Sequence, residues 1–131
     1  PALLVGMDTP QVTPDLLTVD WQAADAFFGP AADGGFWALG LRAPDPALLL
    51  GVPMSTSDTG AVQRARLVAA GLRVADLPEL RDVDTAADVV AVAREAPRTR
   101  FAARARELAS VLSPAGPLED TLTESVLGRT A

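Results

Sequence analysis

The sequence contains no histidine, no cysteine, no tyrosine and no lysine; its eleven basic side chains are all arginine. Each absence removes a class of chemistry. Without histidine there is no Ser-His-Asp triad, and without cysteine there is no thiol nucleophile. A Cys/His zinc site cannot form, and disulfides are impossible. A P-loop and a pyridoxal Schiff base both need lysine and are excluded too. Seventeen acids outnumber the arginines and give a formal charge of −6, so nucleic-acid binding has no electrostatic footing. Aromatic residues make up only 5% of the chain.

What remains is carboxylates, guanidinium groups, hydroxyls, two tryptophans and the backbone. Asp oxygens in that set suit Mg²⁺ or Mn²⁺ held against a phosphate. The 131 residues, 49% of them hydrophobic, match one soluble domain with its own core. Ala2–Val5 is far too short for a signal-peptide core or a membrane span, which predicts no membrane span and a cytoplasmic protein. The chain opens at Pro1 and enters a strand-like run at once, as expected of a processed chain or one that starts inside a larger protein.

The apolar run from Ala2 to Met7 reads as a strand buried on both faces, the pattern of a parallel sheet. Thr13-Pro14-Asp15 is a helix start, for a short helix reaching about Val19. Two strands are predicted near residues 25–29 and 36–41, joined through an Asp33-Gly34-Gly35 turn. Residues 43–56 read as an irregular loop holding about one helical turn. A helix over 59–70 would be capped by Ser57 or Asp58 and stopped by Gly71. A strand near 72–77 follows, then helices over 86–95 and 99–112. Phe101, Ala105, Leu108 and Leu112 share one face of the last, and Arg100 and Arg104 lie on its solvated side. A weak helix is expected around Leu118–Leu127. The order β-α-β-β-α-β-α-α predicts an α/β protein with a mixed sheet.

Four acidic or hydroxyl-rich sites sit at element ends, where α/β sheets bind ligands. Asp8 follows the first strand and could hold a cation there, or could simply form a turn before Pro10. Asp33-Gly34-Gly35 could bring backbone amides to a phosphate or sugar oxygen, or could be a plain hairpin turn. In Asp82-Val83-Asp84-Thr85 the alternate spacing turns both carboxylates to the same side, ahead of a helix N-terminus; equally, Thr85 and Asp88 could pair as a capping box. Ser55-Thr56-Ser57-Asp58 could bind an anion or cap the next helix.

The strings Gly6-Met7-Asp8-Thr9-Pro10, Phe28-Gly29-Pro30 through Asp33-Gly34-Gly35-Phe36-Trp37 to Leu41, Ser55-Thr56-Ser57 and Arg81-Asp82-Val83-Asp84-Thr85-Ala86-Ala87-Asp88 together resemble a small bacterial group of GT-A-type proteins. That group includes uncharacterised, radical-SAM-associated and arsenosugar-biosynthesis glycosyltransferases. The resemblance covers about residues 1–95 and implies a nucleotide-diphospho-sugar transferase fold. It implies metal-binding roles for Asp8 and Asp84, and a substrate-pocket role for the loop of Asp33, Gly34 and Gly35. Members carry a further strand-helix-strand segment with a basic, glycine-containing nucleotide loop. The resemblance therefore makes residues 1–97 the C-terminal part of a GT-A-like domain lacking that segment, with residues 98–131 as additional helices and tail.

The function expected on this footing is glycosyl transfer from a nucleotide-sugar donor to an unknown small acceptor. Mg²⁺ or Mn²⁺ would bridge the diphosphate to Asp8 and Asp84, with those carboxylates on the same side of the sheet and within roughly 8 Å. Asp33 is the general-base candidate, and Gly34, Gly35, Thr56 and Ser57 the substrate-binding set. Two alternatives stay open: nucleotidyl transfer to a phosphorylated small molecule, and a non-catalytic domain that acts by self-association. A homo-oligomer is expected because a sheet without its first strands exposes an apolar edge; the Phe101 stripe could fold back over it, or Leu118, Leu122 and Val126 could pack on a second copy.

Overall fold

A computed structural model describes residues 1–112. Its elements in chain order are β1 (Ala2–Val5), α1 (Pro14–Leu17), β2 (Ala26–Pro30), β3 (Phe36–Leu41), a 3₁₀ turn (Pro46–Leu48), α2 (Thr59–Ala69), β4 (Val74–Asp76), α3 (Ala86–Glu95) and α4 (Arg100–Leu112). The strands form one sheet in the order β1-β3-β2-β4. β3 pairs antiparallel with both β1 and β2, and β4 pairs parallel with β2. The mixed α/β sheet expected from the order of elements is present.

The β2–β3 hairpin is the centre of the sheet, and its residues show why. Phe27, Phe28 and Trp37 are strand formers, and all six side chains of Ala26-Phe27-Phe28 and Trp37-Ala38-Leu39 are buried. Ala26, Phe28, Leu39 and Leu41 pack with Leu67 of α2 into one core, closed by Phe36, Leu48, Leu72 and Val74. Each fully buried large side chain there contributes about 1.5–3 kcal/mol. Trp21 meets Phe27 edge to face at 5.2 Å, and Gly40 leaves the room in which the Trp21 ring and a Leu3 methyl group approach the sheet. Trp37, 1% exposed, lies against Gly29 and donates its indole N–H to the Pro78 carbonyl at 2.9 Å.

Helix ends follow local chemistry. Gly71 takes φ +78° just beyond α2, the left-handed stop expected there. Thr85 and Asp88 form a complete capping box at the start of α3. At α2 the side chain of Asp58 makes no capping bond. Thr59 works instead: its hydroxyl accepts from the Thr56 amide at 3.2 Å and donates to the Pro53 carbonyl at 2.8 Å. α1 is a single turn and ends before Val19.

At the far end of the sheet from the hairpin turn, Asp25 ties β2 to β4. It accepts from the Arg73 amide at 3.0 Å and from its guanidinium, and pairs with Arg42. These bonds, Arg73 first, hold the Asp25 carboxyl down at about 2. Arg64 of α2 grips Asp76 of β4 with two parallel bonds of 2.8 and 2.7 Å.

Two expectations need correction. β1 is not buried on both faces: among the described residues it is an edge strand paired only to β3, Leu4 is 58% exposed and Met7 is fully exposed. An apolar run records that a strand is hydrophobic, not how many of its sides are covered. The second concerns α4, which does not lie over the sheet along a Phe101–Leu108 stripe. It packs on α3, with Ala102 and Val92 completely buried, and Leu108 is left 61% exposed. Small side chains let two helix backbones approach, and alanine at 102 and 105 supplies that face better than leucine would. On the opposite side Arg104 pairs with Glu107 in solvent, as expected of a charged face. The helix expected around 118–127, with Leu118, Leu122 and Val126, lies outside the described residues.

Candidate functional site

Three loops converge beyond the end of β1, and backbone hydrogen bonds fix each. The Gly6 amide donates to the Trp37 carbonyl at 2.8 Å, which carries the chain from β1 towards Asp8. The Asp8 carbonyl then accepts from the Val83 amide at 2.9 Å, so the 82–84 segment runs beside it. One turn further on, the Gln11 side chain donates to the Arg81 carbonyl at 2.6 Å. Sequence positions seventy or more apart are thereby joined. The backbone of Asp8 runs beside that of residues 82–84.

The third loop is the hairpin turn. The Asp33 carboxylate accepts from the Gly35 amide at 2.8 Å, an Asx turn of the kind that Asp-Gly sequences favour. Gly34 sits at φ +93°. Its carbonyl accepts from the Gly60 amide at 2.8 Å, and a Cβ on Gly34 would fall 2.0 Å from the Ser57 carbonyl oxygen. The close approach that the glycine pair permits is therefore made to the N-terminus of α2. That contact sets the Gly34-Gly35 turn against Ser57, which is exposed beside it. The Thr56 hydroxyl lies 3.3 Å from that of Thr59.

Electrostatics single out a residue that the sequence reading set aside. Asp82 is half-buried, and its carboxyl is pushed up to about 6, first by burial and then by the negative charges of Asp33, Asp8, Asp84 and Asp88. It lies near enough to Asp33, Asp8, Asp84 and Asp88 to feel the charge of each. The alternate spacing of Asp82 and Asp84 was the available signal, but which of the two faces Asp8 and Asp33 is a tertiary fact. Asp88 is already engaged: it accepts from the Thr85 amide at 2.8 Å and hydroxyl at 2.7 Å and pairs with Arg81 at 3.2 Å. Those bonds, the Thr85 hydroxyl first, hold its carboxyl below the ordinary range. Asp8, Asp33 and Asp84 have no ion-pair partner among the described residues.

Uncompensated carboxylate oxygens are the ligands of a hard divalent cation. Among the described residues no three acidic side chains are grouped closely enough to cage a metal by themselves. Close by, the Thr9 hydroxyl and the Gln11 side-chain oxygen are buried without a hydrogen-bond partner.

The profile of a family described as uncharacterised proteins conserved in bacteria (DUF2064) matches residues 1–56. No curated protein matches the chain. Among solved structures, a Desulfovibrio desulfuricans G20 protein provisionally described as a nucleotide-diphospho-sugar transferase superposes with a TM-score of 0.75 at 29% sequence identity. The match covers 84% of this chain and 52% of that one, so the chain spans about half the length of its structural relative. Among the described residues no helix is long and apolar enough to cross a membrane. The mixed sheet flanked by helices matches the α/β fold of that nucleotide-diphospho-sugar transferase structure.

Proposed function

We propose that this chain carries the cation- and acceptor-side half of a transferase that takes a glycosyl group from a nucleotide-sugar. The observation that carries the reading is the convergence of Asp8, Asp33, Asp82 and Asp84 from three loops at one end of the sheet. Asp8 and Asp84 would hold Mg²⁺ or Mn²⁺. A cation there supplies Lewis-acid stabilisation of the charge that develops on the leaving diphosphate. Asp82, which feels the charges of both, would add negative potential that draws the cation in. Asp33 is exposed, its carboxylate is oriented by the Gly35 amide, and it would accept a proton from an acceptor hydroxyl. The Ser57 and Thr56 hydroxyls and the Gly35 backbone border the same turn and would contact the sugar or acceptor. Residues 1–97 would form this transferase half, with residues 98–131 appended to it.

The reading is tested by donor consumption. Full-length protein is incubated with Mn²⁺ and a panel of nucleotide-sugars, and released nucleoside diphosphate is measured for wild type, Asp8→Asn and Asp84→Asn. Release by wild type that falls at least tenfold in both variants supports the reading. Release unchanged in the variants contradicts it. A nucleoside triphosphate that yields pyrophosphate in place of a nucleotide-sugar would assign the site to nucleotidyl transfer.

A further inference from the structure

A cavity of about 500 Å³ lies where the loop after β1 meets the corner between α3 and α4. Leu80, Ala96 and Pro97 give it an apolar wall, and Gln11, Thr13, Glu95 and Arg98 add polar groups. That size, and a mostly apolar lining with a few polar groups, are those of a small-molecule site. The corner is fixed from within: the Thr99 hydroxyl donates to the Ala96 carbonyl at 2.8 Å and accepts from the Ala102 amide at 3.1 Å. Gln11 singles the cavity out. It is only 8% exposed, and its Nε2 is committed to the Arg81 carbonyl at 2.6 Å. The other end of the amide, Oε1, is buried without a hydrogen-bond partner. An unpaired buried acceptor carries a cost that a donor in the cavity removes. Thr13 is the N-cap of α1, yet its hydroxyl makes no capping bond. Glu95 and Arg98 make no ion pair among the described residues.

We propose that this cavity binds a hydroxylated ring, a sugar or a cyclitol. The inventory of donors and acceptors decides the class. The Gln11 oxygen and the Glu95 carboxylate need a donor, Arg98 needs an acceptor, and the Thr13 hydroxyl takes either. A simple carboxylate or phosphate would satisfy Arg98 but be turned away by Glu95 and the Gln11 oxygen. An ammonium group would do the reverse. A hydroxyl both donates and accepts, so neighbouring hydroxyls on one ring serve all four groups. The C–H faces of the ring would rest on Leu80 and Pro97. None of these residues belongs to the carboxylate set of the proposed transferase site, so the proposal does not depend on glycosyl transfer.

Binding alone is the test. Backbone and side-chain amide resonances of the full-length protein are followed while a panel of hexoses and an inositol is added at millimolar concentrations. At least one probe should give saturable shifts at the Gln11 side-chain amide and at the Leu80 and Thr99 backbone amides. Gln11→Met, which removes the buried oxygen, should abolish them. Arg98→Ala changes an exposed position and keeps the fold, so it decides the matter if Gln11→Met fails to fold; there the same probe should bind several-fold more weakly. No saturable shift with any probe overturns the proposal, as does binding unchanged in Arg98→Ala. Inorganic phosphate or glycine giving the same shifts at the same concentration would make this a site for charge, which also overturns it. Shifts confined to Gly34 and Gly35 would place the sugar at the hairpin turn, in favour of the transferase reading and against this one.

Discussion

Replacing Gly34 with alanine probes the contact that joins the hairpin turn to α2. A Cβ there would lie 2.0 Å from the Ser57 carbonyl oxygen, 2.7 Å from its carbon and 2.9 Å from its Cα. All three are backbone atoms, so no rotamer change can relieve the clash, and the loop or the helix must move. The φ of +93° adds a second cost, since an L side chain in the left-handed half of the map loses about 1–2 kcal/mol. Overpacking costs about 1–3 kcal/mol more. The expected loss is thus about 2–5 kcal/mol, a large share of the roughly 5–15 kcal/mol that holds a domain folded. Gly71→Ala is the internal control: its φ is +78°, but nothing lies within 4 Å of the added methyl, so it bears the backbone cost alone, about 1–2 kcal/mol. Urea unfolding of both variants beside wild type gives the comparison. Gly34→Ala within 0.5 kcal/mol of Gly71→Ala, on the order of ordinary surface scatter, would refute the close approach.

Thr85→Ala removes the hydroxyl from the capping box and should cost about 1 kcal/mol by urea unfolding. Trp37→Phe strands the Pro78 carbonyl and leaves a void beside Gly29, for a loss of about 1–3 kcal/mol in the same assay. Asp82 titrates higher in the folded chain than its ordinary 3.8, so the folded state binds more protons between pH 4 and 6. Its contribution to stability therefore falls as pH rises through that window, and Asp82→Asn should flatten the fall and raise the melting temperature at pH 7. Asp25 has the opposite sign: held at about 2, it stabilises the fold above pH 4, and that contribution is lost as pH drops from 4 to 2. An Asp25→Asn chain should show a shallower acid transition in the same melting series.

The parts of the fold legible in the sequence are those decided within a few residues. The two central strands, the Asp-Gly turn between them, the glycine stop after α2 and the Thr85–Asp88 box each depend on neighbours at short separation. The parts that were not legible depend on what lies across space. The apolar run of β1 says nothing of how many of its sides are covered. The face of α4 that meets α3 is set by small alanines rather than by its largest apolar residues, because close helix approach selects for size. In the candidate site, motifs at element ends mark loops that the fold sets beside one another. The hydrogen bond from Val83 to the Asp8 carbonyl, and the negative potential centred on Asp82, exist only once residues 8, 33 and 82 are folded together.

The central claim, a cation held by Asp8 and Asp84, can be read residue by residue from carboxyl carbon resonances of the full-length protein titrated with Mn²⁺. The paramagnetic ion broadens carboxyl groups in its immediate surroundings and leaves distant ones sharp. Asp8 and Asp84 should broaden first, with Asp82 and Asp33 close behind. Asp25 and Asp76 should stay unaffected, and Asp8→Asn should abolish the effect at the same Mn²⁺ concentration. Broadening that begins at Asp25, Asp76 or Glu95, or that survives in Asp8→Asn, would contradict the account.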